Sequence, residues 1–148
     1  MQLSKNFTLE ELTHSQTAIR KNINNTPNQT QINNLNILCN TILQPIRDEF
    51  GAIKISSGFR STTLNRAIGG SSTSDHCLGY AADIIPLNAS KKDVGIWIVK
   101  NLKFHQLIME FGTDKYNPSW IHVSCNPKFA RQVLWANGNP TKYTPVTL

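Results

Sequence analysis

Helical periodicity in the first third of the chain and strand-like alternation in the remainder predict an α+β fold. Ile32, Leu35, Leu38, Ile42, Leu43, Ile46 and Phe50 recur at spacings of three and four, which places them on one broad apolar stripe of a helix. Residues 53–56 and 120–124 alternate apolar and polar side chains, the pattern of half-buried strands. Residues 107–111 form an apolar run with a single acid, and the loop-forming residues 112–119 separate it from the Trp120 run, so the two runs suggest an antiparallel hairpin.

Each element has a local reason. Thr8 and Glu11 have the spacing of a capping box, in which the threonine hydroxyl and the glutamate side chain satisfy each other's backbone amides, so a short helix starts there. The Asn-rich residues 22–28, with Thr26 and Pro27, read as a loop. The long helix follows from Thr30, is kinked or divided by Pro45, and ends at Gly51, a residue suited to a left-handed cap. The strand at 53–56 runs into the polar tip Ser57-Gly58-Phe59-Arg60-Ser61. Ser61 or Thr62 caps a brief helix through Ala67, and Gly69, Gly70 and Ser71 to Thr73 make a flexible loop. Residues 81–85 read as a strand stopped by Pro86. Ser90 caps a helix over 91–102 whose buried side is Val94, Ile96, Trp97 and Ile98. Residues 132–135 are expected to add an edge strand, and the tail after Asn137 to be irregular.

At 148 residues, with 39% hydrophobic and 16% charged residues, the composition is that of one globular domain spanning 1–148. No apolar run is long enough to span a membrane. The N-terminal residues lack the apolar core and cleavage site of a signal peptide, so synthesis in the cytoplasm is expected. Cys39, Cys77 and Cys125 are an odd number without zinc-finger spacing and are read as packing residues of a reduced protein. The net charge of +6 would suit nucleic acid or a polyanionic cell wall, but no basic stripe with interleaved aromatics accompanies it. Nucleic acid is therefore not an expected partner.

The chemistry concentrates between Ser74 and Asp83. His76 and Asp83 stand seven residues apart, with Gly79, Ala81 and Ala82 between them where bulk would crowd an ion. Hydrolytic zinc takes three protein ligands from histidine and carboxylate and leaves a fourth position for water, and His122 completes that set. Glu110, the only acid in an apolar strand-like run, is the candidate general base and acid, since apolar surroundings keep a carboxyl pKa up. Arg60 has the planar fork that binds a substrate carboxylate. Taken singly, each has a structural alternative. His122 suits a half-buried strand, Glu110 an ion pair with a lysine, Arg60 a loop cap, and His76 with Asp83 a chance spacing. His14 and His105 read as surface or packing residues. Ser57, Ser61 and Ser74 lack a nucleophile elbow, and Ser74 fits hydrogen bonding beside the metal. Cys77, read as lying in a strand, would point away from the ligand face.

The stretch Ser74-x-His76-x-x-Gly79-x-Ala81-x-Asp83 resembles the signature of the zinc D-alanyl-D-alanine carboxypeptidase family and its peptidoglycan endopeptidase relatives, which share a metal site with the hedgehog signalling domain. Ser57-Gly58-Phe59-Arg60-Ser61, residues 107–112 and the Trp120-x-His122 strand resemble three further segments of that family. Phe7 to Leu12 and Leu43-Gln44-Pro45-Ile46-Arg47 resemble its phage and prophage branch, to which endolysins belong. The resemblance implies a mainly antiparallel sheet with N-terminal helices packed on it. It also implies one zinc ion per chain on His76, Asp83 and His122, with Glu110 as acid/base and Arg60 as a second catalytic residue near the scissile bond. Arg60, Ser74 and Trp120 would then be substrate-binding residues.

In similar proteins the acid stands closer to the distal histidine, whereas Glu110 and His122 are twelve residues apart, with residues 113–119 as an inserted turn. The base assignment therefore depends on hairpin register, and the metal assignment does not. Where relatives carry an acid three residues before the histidine, this chain has Ser119.

The activity implied is a metallopeptidase acting on peptidoglycan stem peptides, as a D-Ala-D-Ala carboxypeptidase or an endopeptidase, in a monomer. It would reach the cell wall after release or in a phage particle. The alternative is a non-catalytic zinc-containing wall-binding or phage structural module, which would need a fourth protein ligand.

Overall fold

A computed structural model describes the whole chain, Met1 to Leu148. The N-terminus pairs β1 (Gln2–Ser4) with β2 (Phe7–Thr8) in a small antiparallel ribbon absent from the sequence reading. Helix α1 (Leu9–Thr13) starts as expected, with the Thr8 hydroxyl accepting from the Glu11 amide. A second short helix, α2 (Gln16–Arg20), is capped by Ser15. Five residues carry too little periodicity to announce it.

The long apolar stripe is divided in three. Helix α3 (Gln29–Leu38) passes into a π-helical turn, Cys39–Leu43, and then into α4 (Gln44–Phe50). Pro45 has no amide hydrogen for the Thr41 carbonyl, and the wider turn just before it absorbs the mismatch. There the Gln44 amide reaches back to the Cys39 carbonyl. Despite the division, Leu35, Leu38, Ile42, Leu43 and Ile46 are all fully buried. Gly51 ends α4 at a φ of 79°, as its place in the sequence implies.

The main sheet has six strands: β3 (Ile53–Ser57), β4 (Ala81–Pro86), β5 (Gln106–Glu110), β6 (Trp120–Ser124), β7 (Gln132–Asn137) and β8 (Lys142–Pro145). Their spatial order is β3-β4-β6-β5-β7-β8. Every pairing is antiparallel except β5 with β7, so the sheet is mainly antiparallel. Helix α5 (Thr62–Ala67) follows β3, and α6 (Lys91–Asn101) crosses over from β4 to β5.

Two expectations about the C-terminus are corrected. The segment from Gln132 is not an edge strand, because β8 flanks it, and the residues after Asn137 are not irregular throughout. All four β8 residues are exposed, so their strand is defined by pairing with β7 and not by any apolar pattern of their own.

Alternation gives the sheet two distinct faces. Ala82, Ile84, Leu107, Met109, Ile121 and Val123 pack against α3, α4 and α6 in a single core. The opposite face carries a separate small cluster of buried Ile108, Leu134 and Ala136 and opens into a cavity. No helix is long and apolar enough to cross a membrane.

Two glycines hold segments close. A Cβ at Gly58 would overlap the Leu12 carbonyl, which accepts from the Phe59 amide at 2.7 Å and docks α1 on the tip of β3. Gly79 has φ +81°, and a Cβ there would lie 2.5 Å from the Gln31 carbonyl of α3. Gly79→Ala is expected to cost about 1–3 kcal/mol, read as a lower denaturant midpoint. An unchanged midpoint would show that α3 yields freely.

Candidate metal centre and cleft

His76 lies in a short 3₁₀ turn, Asp75–Leu78, which Ser74 caps through its hydroxyl at 3.2 Å from the His76 amide. The turn is tied to the tip of β3 twice: the Arg60 amide donates to the His76 carbonyl at 3.1 Å, and His76 Nδ1 meets the Gly58 carbonyl at 2.7 Å. Asp83 is central in β4, and His122 is its direct partner on β6. These three residues offer ligand atoms all within 4.8 Å of one another and could hold a metal ion.

The donor set fits a cation on chemical grounds. A carbonyl can only accept, so His76 Nδ1 carries the proton and, in the neutral ring, Nε2 presents a bare lone pair. That lone pair faces Asp83 Oδ1 at 3.3 Å, while His122 Nδ1 lies 3.0 Å from the same oxygen. Lone pair against carboxylate is repulsive unless a proton or a metal ion lies between them. Tetrahedral zinc with ligand bonds of about 2.0–2.1 Å sets its ligand atoms roughly 3.3 Å apart, matching these separations. Burial opposes charge on Asp83, but His76 and His122 outweigh it and hold the carboxyl well below the usual range.

The hairpin register places Glu110 opposite Trp120 and Ile108 opposite His122. Residues two apart share a face, so Glu110, Trp120, His122 and Asp83 all project from the side of the sheet that carries Ile108 and Leu134. Glu110 Oε1 is 3.8 Å from His122 Nδ1. The long loop thus leaves the strand alternation intact. Its start is strained, because Phe111 holds a φ of 59°, unusual for a bulky residue, with its ring 5.3 Å from that of Trp120.

Burial, then the charge of Asp83, pushes Glu110 up to about 7, against partial relief from the charges of His122 and Arg60. In metal-free protein the folded state therefore holds this proton more tightly than the unfolded chain. The group favours folding fully below about pH 4.5, and that contribution is lost as the pH rises through about 7. Metal-free Glu110→Gln should gain stability over metal-free wild type across that window, measured as urea midpoints on either side of it. Parallel midpoint curves would contradict this.

The face opens into a cleft of about 740 Å³ bordered by Arg60, Ser74, Glu110, Phe111, Trp120 and Tyr143. A second cavity of about 400 Å³, reached by His14, Thr17, Ser57, Phe59 and Leu64, shares Arg60, Ile68 and Asp83 with it. Arg60 Nε and Trp120 Nε1 are buried without hydrogen-bond partners, as is His122 Nε2. The Arg60 guanidinium reaches Ser74 Oγ only at 3.5 Å.

Three readings change. Cys77 lies in the 3₁₀ turn and not in a strand, and it is not part of the metal-competent group. His105 is more than packing, since its Nδ1 lies 2.7 Å from Asp75 Oδ2, and Asn126 donates to Asp75 Oδ1 at 2.9 Å. This buried network fastens the His76 turn to the start of β5. Thirty residues separate the pair, so no local pattern announces it. Phe129, Leu134 and Tyr143 also border the cleft, and the sequence reading names none of them as a site residue. Cys39 and Cys125 are packing thiols as expected, each pushed up to about 12 by burial.

A mixed sheet with helices on one face and a metal-competent His-Asp-His group beside a half-buried acid on the other has the layout of a metallohydrolase. The comparison with known families agrees: residues 5–124 match the family described as Peptidase M15, and the chain belongs to that family. A search of curated proteins finds no match.

Proposed function

We propose that this chain is a zinc-dependent peptidase that hydrolyses peptidoglycan stem peptides, with one zinc ion on His76, Asp83 and His122. The observation carrying this reading is the convergence of those three donors with Glu110 on one open face, beside the unpartnered donors of Arg60 and Trp120. Zinc, when bound, lowers the pKa of a water towards neutrality and polarises a carbonyl.

The remaining steps belong to the protein. A Glu110 carboxylate oxygen accepts the proton of the attacking water and returns it to the leaving nitrogen. A carboxyl half-buried beside the metal group is placed to do both. Arg60 Nε and Trp120 Nε1 need acceptors to offset their burial, and a substrate carboxylate and carbonyl supply them. Ser74 holds the His76 amide and borders the substrate cleft. The net charge of +6 steers the protein to an anionic wall.

The two cavities share Arg60, Ile68 and Asp83, so space continues past Asp83 beyond the main cleft. This favours an internal bond and an endopeptidase. The orphaned Nε of Arg60 favours the second reading, a D-Ala-D-Ala carboxypeptidase in which that donor binds the terminal carboxylate. A non-catalytic wall-binding module with structural zinc is less well supported, because the group has three residues and lacks a fourth protein ligand. The reading includes a monomer acting on the cell wall after release from the cytoplasm, or carried in a phage particle.

Digestion of purified peptidoglycan, with released products identified by mass, tests it. Internal stem fragments are expected from an endopeptidase and free D-alanine from a carboxypeptidase. Release of neither would overturn the peptidase assignment.

A further inference from the structure

We infer that Tyr143, on the edge strand β8, is a substrate-binding residue of the cleft, its hydroxyl donating a hydrogen bond to a peptide carbonyl beside Glu110. This rests on the peptidase reading above. The family match ends at residue 124, so β7 and β8 lie outside the part of the chain that it covers. Yet these strands supply Gln132, Leu134 and Tyr143 to the border of the main cavity.

The placement follows from strand register. Trp120 pairs with Glu110, Glu110 with Ala136, and Ala136 with Tyr143. Directly paired residues project to the same side of a sheet, so all four stand in one row on the open face. Two strand spacings separate the Glu110 and Tyr143 backbones, about 9–10 Å. Ala136 lies between them, fully buried and with only a methyl group, so the row dips there. The Glu110 and Tyr143 side chains border one cavity from the two sides of that dip.

Two further observations agree. Tyr143 is 55% exposed, so its ring is not held in the core and is free to meet a ligand. Burial raises the pKa of its phenol, and the charges of Glu110 and Asp83 raise it further, so the hydroxyl stays a donor. Trp120, with its unpartnered indole N–H, stands on the other side of Glu110 in the same row. The proton-transfer group is thus flanked by two donors, one from within the matched family region and one from beyond it.

The test is binding of a synthetic stem pentapeptide ending in D-Ala-D-Ala to zinc-loaded protein carrying Glu110→Gln, which is expected to hold the peptide uncut. Adding Tyr143→Phe should raise Kd about 3- to 10-fold, the value of one hydrogen bond, with zinc content and unfolding midpoint unchanged. Tyr143→Ala should raise it further by removing the ring. In the otherwise wild-type enzyme, Tyr143→Phe should raise KM by a similar factor. Equal Kd for the tyrosine and phenylalanine forms would overturn the assignment while leaving the peptidase reading intact, provided the wild-type enzyme cuts the peptide. A wild-type enzyme that neither binds nor cuts it would overturn both.

Discussion

Glu110→Gln is expected to keep zinc and fold while lowering the hydrolysis rate by about 10²- to 10⁴-fold, the usual contribution of a positioned general base and acid. Glutamine preserves the size of the side chain at the end of β5, so its pairing with Trp120 and the packing of Phe111 are retained. On the proposed mechanism it removes the group that takes a proton from water and gives it to the leaving amine. The other acids near the cleft are already engaged, Asp75 by His105 and Asn126. Asp83 is committed between two imidazoles, and Asp114 is occupied in the hairpin loop by the amides of Tyr116 and Asn117. The measurement is steady-state hydrolysis of stem peptides alongside zinc content. A variant with full zinc and wild-type rate would remove Glu110 from the mechanism.

Asp83→Ala is expected to abolish both metal binding and hydrolysis. Asp83 Oδ1 is the point at which the two imidazoles converge, 3.0 Å from His122 and 3.3 Å from His76, and it supplies the negative charge of the group. Losing a residue that merely orients a metal ligand weakens binding about 10- to 100-fold, and loss of a ligand itself exceeds that. His76→Ala should behave alike, since the turn carrying it is built to aim Nε2 at this oxygen. Dialysed protein analysed for zinc should contain almost none in either variant, and added zinc should no longer raise the thermal midpoint. Full occupancy in Asp83→Ala would overturn the ligand set.

The elements with their own periodicity were readable. The stripe from Ile32 to Phe50, the strand at Ile53 and the alternating Trp120 strand each carry their burial pattern locally, and Ser61 and Ser90 announce the helices they cap. Pro45 gave the division of the long helix but not its form, since a π turn depends on how neighbouring carbonyls are satisfied. Strand β8 was not readable because its residues are all exposed, and the parallel pairing of β5 with β7 was not because alternation fixes faces and not neighbours.

The site divides in the same way. His76, Asp83 and the Trp120-x-His122 strand stand in short motifs, and the sheet brings their donor atoms together. The side of the sheet on which Glu110 lies hinged on hairpin register, which the sequence left open and the pairing with Trp120 resolves. The Asp75, His105 and Asn126 network and the place of Tyr143 in the Glu110 row arise from contacts between distant segments. No local pattern encodes them.

Titration of zinc into metal-free protein, with release of stem peptides followed at each addition, tests the central claim most directly. Hydrolysis should be absent at the start, rise in proportion to added zinc and level off at about one ion per chain, as a single three-ligand site requires. Full hydrolysis by metal-free protein, or none at any zinc level, would contradict a zinc peptidase built on His76, Asp83 and His122.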